Sequence, residues 1–84
     1  MFYRIVREFD DGCLYYCGGA PGEGSSWTEA SSAARHYRSA AWTVELGEEV
    51  ATSVEGGRVG VEEVERLPSS AVLHEEDSTR ALHG

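Results

Sequence analysis

Phe2-Tyr3-Arg4-Ile5-Val6-Arg7-Glu8-Phe9, then Asp10-Asp11-Gly12, then Cys13-Leu14-Tyr15-Tyr16-Cys17: this N-terminal stretch decides the fold. Aromatic and β-branched residues crowd both outer runs, and such side chains favour a pleated, half-buried backbone. Asp-Gly between two such runs is the strongest short hairpin signal, because glycine takes positive φ without steric cost. Residues 2–17 are therefore read as a β-hairpin. In its first strand Tyr3, Ile5 and Phe9 share one face, and Phe2, Arg4, Val6 and Glu8 share the other. That alternation predicts one covered face and one half-open face.

Gly18 to Ser26 holds four glycines and a proline in nine residues, a composition that sustains neither helix nor strand and predicts a mobile loop. After it, Ser26 or Thr28 can cap a short helix in which Ala30, Ala33 and Ala34 are good helix formers, running to about Arg35. Tyr37 then marks a turn. Ser39 is a second cap, and Ala40 to Ala51 carries Trp42, Leu46 and Val50 at i, i+4 and i+8, an apolar stripe that predicts the main helix packed on the sheet. Gly47 inside that helix costs about 1 kcal/mol against Ala, so it shortens the helix or marks a close approach of backbone.

Val59, Val61 and Val64 predict a third strand, with a bulge near Glu62 and Glu63 to bring Val64 into phase. A helix through Val61, Val64 and Leu67 is the competing reading. The strand is preferred because a hairpin alone makes a poor sheet. Pro68 ends that element, and residues 68–84 are read as a tail that is either a short helix or disordered. The expected architecture is an α+β layer in the order ββααβ. It has an antiparallel three-stranded sheet with helices on one face and a single domain over residues 1–67.

The chain has 84 residues, 15 Asp and Glu, 7 Arg and no Lys, for a net charge of −8. A chain of this charge repels DNA, RNA and anionic membrane surfaces and attracts cationic protein surfaces. No run approaches the roughly 20 apolar residues of a membrane span, and the start is too charged for a signal-peptide core, so the expected location is the cytoplasm. The core of so small a domain is limited, which makes a second copy of the chain a candidate partner.

No site chemistry reaches a recognised pattern. The Gly19-to-Ser26 loop lacks the Lys that a phosphate-binding loop needs. Cys13, Cys17, His36, His74 and His83 lack zinc-site spacing, so neither metal nor cofactor is expected. Cys13 and Cys17 would lie roughly 13 Å apart in a strand, too far for a disulfide, and are read as free buried thiols. No Gly-x-Ser-x-Gly elbow or oriented acid-base set exists, and the expectation is a protein that is not an enzyme.

The acids speak through their arrangement. Glu45, Glu48 and Glu49 lie at i, i+3 and i+4 on the main helix, and Glu55, Glu62, Glu63 and Glu65 continue the run. Residues 45–65 thus hold seven acids and one Arg, whereas the first 44 residues hold five acids and four Arg. Such a surface either keeps a small protein in solution or substitutes for phosphates in an Arg and Lys groove, with Tyr15, Tyr16 or Trp27 as aromatic anchors.

The short hairpin, Gly-rich loop, Trp27-Thr28, alanines leading to Tyr37, Ser39 opening an Ala-rich helix and a closing valine strand together resemble small phage-encoded accessory proteins. In size, acidity and layout residues 2–65 are similar to some anti-CRISPR proteins. The resemblance implies a non-enzymatic inhibitor working in the host cytoplasm, one that blocks a CRISPR effector complex by protein contact, in several acidic cases as a DNA mimic. It carries no assignment of individual residues. The alternative is a protein-interaction or assembly module that uses an aromatic and apolar face.

Overall fold

The computed structural model describes residues 1–68 and 71–73. Strand β1 (Phe2–Phe9) and strand β2 (Gly12–Tyr16) pair antiparallel, with Val6 opposite Tyr15 and Phe9 opposite Gly12. Asp10 and Asp11 form the turn. No non-glycine residue among those described has positive φ, so the turn is not of the primed type, and Gly12 opens β2.

Helix α1 (Ala40–Ser53) begins where the sequence places it: Ser39 accepts a hydrogen bond from the Trp42 backbone N–H at 3.1 Å, and Thr43 Oγ1 donates to Ser39 O at 2.6 Å. Gly47 does not interrupt it. A Cβ there would stand 3.5 Å from Val61 Cγ2, an ordinary contact.

Strand β5 (Arg58–Val64) pairs antiparallel with β1 over seven consecutive positions, from Glu8 opposite Arg58 to Phe2 opposite Val64. The expected bulge is absent. Val64 takes the face opposite to Val59 and Val61, where it stands across from Phe2, so both faces carry apolar residues and no phase correction is needed.

The sequence-based expectation fails between these elements. Trp27 to Tyr37 is not a helix: it forms a two-residue strand β3 (Trp27–Thr28), a 3-10 turn at Ser31–Ala33 and a two-residue strand β4 (Arg35–His36). β3 extends the sheet beside Tyr15 and Tyr16, and Tyr37 exchanges backbone hydrogen bonds of 2.8 Å with Tyr3. An isolated helix this short is marginal, and the hairpin offered unpaired backbone that these residues satisfy instead.

The sheet therefore has four strands, in the order β3-β2-β1-β5, and among the described residues there is one α-helix rather than two. A further two-residue strand, β6 (Val72–Leu73), pairs in parallel with β4. The rest of the tail reading, residues 69–70 and 74–84, lies outside the described residues. No helix among those described is long and apolar enough to cross a membrane.

Register and alternation put Tyr3, Ile5 and Arg7 on the same face as Leu14, Tyr16, Val59, Val61 and Glu63. The core forms on this face. Ile5, Tyr16, Tyr37 and Val50 are buried together, and Trp27, Trp42, Leu46 and Val59 pack against them.

Candidate functional site

The helix has one buried side and one wet side. Thr43, Gly47 and Val50 are buried, Trp42 and Leu46 are half-buried, and Glu45, Glu48 and Glu49 are all exposed. None of the three carboxylates makes an ion pair among the described residues, and no basic residue stands in the last turn of the helix to offset them.

The remaining acids divide. Glu55 is exposed in the connection from α1 to β5, and its carbonyl accepts a 2.6 Å hydrogen bond from Arg7 Nη2. Glu63 and Glu65 are exposed, with Glu63 on the helix side of the sheet. Glu62 lies on the opposite face, where Arg4 Nε donates to it at 2.6 Å and the same guanidinium forms an ion pair with it. The seven acids of residues 45–65 are therefore not one surface: the fold groups Glu45, Glu48 and Glu49 and turns Glu62 away.

The aromatic candidates separate as well. Tyr16 is 6% exposed, in the core, with its hydroxyl donating to Gly19 O. Trp27 is half-buried against Tyr16 at a centroid distance of 5.5 Å, and its indole N–H donates to Pro21 O at 2.8 Å. Tyr15 is half-buried on the far face, with the Arg4 guanidinium 5.0 Å from its ring centroid and Cys13 Sγ 3.5 Å from its hydroxyl. The Cys13 hydrogen bond, followed by burial, holds the Tyr15 phenol above its usual pKa. Burial does the same for Tyr16. Of the three aromatics, Tyr16 and Trp27 serve the core side and Tyr15 lies on the opposite face.

Sequence reasoning missed a groove between α1 and β5, lined by Val44, Gly47, Glu48 and Ala51 of the helix and Val59, Gly60 and Val61 of the strand. Val44 is 48% exposed and Val61 36% exposed. The signal was present: Val44 stands off the Trp42, Leu46 and Val50 stripe, so a helix built on that stripe leaves it facing outward.

Two buried polar groups also escaped notice. His36 is fully buried, its Nδ1 lies 2.9 Å from Ala34 O, and its Nε2 has no hydrogen-bond partner among the described residues. Burial pushes its pKa below the usual value, Arg4 adds to that, and the Ala34 bond opposes it. Arg35 Nε is likewise buried without a partner. Cys13 and Cys17 are free and half-buried, and no group of three or more His, Cys, Asp and Glu among the described residues could hold a metal ion. Comparison with protein-family models, curated proteins and solved structures returned no match, and no relative supplies a function.

Proposed function

We propose that the chain is a non-enzymatic inhibitor that binds a basic nucleic-acid-binding surface of a protein complex, standing in for DNA, in an anti-CRISPR role. One observation carries this reading: Glu45, Glu48 and Glu49 are presented together, exposed and without an ion pair among the described residues, by a 14-residue helix. At 1.5 Å of rise per residue the three span about 6 Å of helix axis, in steps of about 4.5 Å and 1.5 Å that average about 3 Å. That is close to the one phosphate per about 3.4 Å along a DNA strand. Like charges at this spacing cost a helix a few tenths of a kcal/mol per pair, an expense that an external Arg and Lys surface would offset.

The test is expression of the chain in a CRISPR-immune host, beside a variant with Glu45, Glu48 and Glu49 all replaced by Gln. Phage plating should rise with the native chain and not with the variant. Equal plating with both would sink the carboxylate reading.

The groove favours a second reading, an interaction or assembly module that makes contact through apolar surface. Val44 and Val61 are its exposed large apolar side chains. Under this reading Val44→Ser weakens binding and salt has little effect on it.

A further inference from the structure

Strand β5 is the outer strand of the sheet, and no strand pairs with its free edge among the described residues. Seven residues of unbroken register make a long edge, and it has neither proline nor bulge, two of the devices by which natural edges resist pairing. The sequence along it reads cation, valine, glycine, valine, anion: Arg58, Val59, Gly60, Val61, Glu62.

This run is complementary to itself. In an antiparallel pair of two copies centred on Gly60, Arg58 stands opposite Glu62 of the second copy, Val59 opposite Val61, and Gly60 opposite Gly60. Because opposed residues share a face, the four valines meet on the helix side, over the groove that leaves Val61 and Val44 exposed. The charged pairs meet on the other face. Arg58 is exposed and makes no ion pair among the described residues, so it is free to join Arg4 on Glu62. A Cβ at Gly60 would meet nothing within 4 Å, which leaves room at the centre of the pair.

We infer that a second copy of this chain is the occupant of the β5 edge, forming a two-fold dimer with one continuous eight-stranded sheet, twice the four strands of one copy. Glu48 lines the groove whereas Glu45 and Glu49 do not, so this pairing shares one residue with the acidic-helix reading and is tested at Arg58 and Val61, which that reading does not use.

Sedimentation velocity of the full chain over a concentration series tests it. The native chain should pass from monomer to dimer as concentration rises. Arg58→Glu replaces two attractive pairs per dimer with two repulsive ones and should raise the dissociation constant about tenfold. Val61→Glu, which puts a charge among the facing valines, should abolish the dimer. Far-UV circular dichroism checks that both variants are folded; because Arg58 stands opposite Glu8 in β1, Arg58→Gln, which removes the attractive pairs without setting two like charges across the strands, is run beside Arg58→Glu and should also weaken the dimer. Amide exchange over residues 58–62 should slow as the native chain is concentrated. A monomer at every concentration, or a dimer that Arg58→Glu leaves unchanged, overturns the inference.

Discussion

Around Trp27 and Arg7 polar groups turn inward to partners; along α1 the carboxylates of Glu45, Glu48 and Glu49 turn outward with no ion pair among the described residues, and there the outer edge of β5 is unpaired. On the first side Arg7 donates to Gly56 O at 3.0 Å and to Glu55 O at 2.6 Å, while its guanidinium lies 5.0 Å from the Phe9 ring centroid and 5.2 Å from that of Trp27. The Gly-rich loop that composition predicts to be mobile is held there. Cys17 N–H donates to Ser26 O at 2.8 Å, Ser26 Oγ to Ala20 O at 2.6 Å, and the Trp27 indole to Pro21 O. On the second side three carboxylates, two valines and a strand edge are left without partners among the described residues. The contrast teaches where each side's residues act: the first side holds the fold, and the second is available for contact.

The sharpest way to break the comparison is to remove its inward anchor. Trp27→Ala should cost about 3 kcal/mol, at the low end for a Trp-to-Ala truncation because the ring is only half-buried. Urea denaturation would read this as a lower midpoint, and an unchanged midpoint would mean that Trp27 does not hold the loop. Arg7→Gln should cost about 1–2 kcal/mol, since it removes charge-assisted bonds to two carbonyls and the contact with two rings. Gly57 sits beneath Arg7 at φ +76°, where a Cβ would come within 3.0 Å of Arg7 Cγ, Glu8 O and Phe9 Cε1, so the same turn tolerates no side chain.

His36 gives the comparison a pH axis. Its pKa in the fold is depressed, so the unfolded chain binds the proton more readily. The stability this group contributes is fully present above the unfolded value of about 6.5 and is lost as pH falls through the lower folded value. Thermal melts should therefore decline on the acid side of neutrality, and His36→Gln should flatten that decline. An equally steep decline in the variant would place its cause elsewhere.

The outward side should respond in the other direction. Gly47→Ala should raise stability by about 0.5–1 kcal/mol, because helix propensity improves and the new methyl meets Val61 at ordinary contact distance. Chemical denaturation is the check, and a loss of stability would show that the helix cannot move the little this contact requires. Replacing Glu45, Glu48 and Glu49 with Gln should leave the fold intact or stabilise it by a few tenths of a kcal/mol, read from the same denaturation curves.

How far the sequence foretells this division depends on the kind of signal. Hairpin, helix and valine strand were legible because each carries its own period or cap: alternation in Tyr3 and Ile5, Ser39 before Trp42, Leu46 and Val50, β-branching at Val59 and Val61. The segment from Trp27 to Tyr37 was not, because its alanines argue for helix by propensity alone, and propensity yields to pairing when unpaired strand edges lie within reach. Trp27-Thr28 are strand formers, and Ser25, Ser26, Ser31 and Ser32 are turn residues; weighed above the alanines they would have pointed the right way. Of the candidate site, the spacing of Glu45, Glu48 and Glu49 was readable from helix geometry. That Glu62 turns away to Arg4, and that Tyr16 is in the core, depends on register between strands far apart in sequence.

We propose the helix carboxylates as a binding surface and not a merely hydrated one. Binding of the native chain to an isolated CRISPR effector complex, followed by surface plasmon resonance over a salt series and in competition with target DNA, tests it most directly. The account predicts binding that weakens steeply with salt, that target DNA displaces, and that the Glu45, Glu48 and Glu49 to Gln variant loses chiefly through slower association. Binding of equal strength by the native chain and the Gln variant at low salt would contradict it.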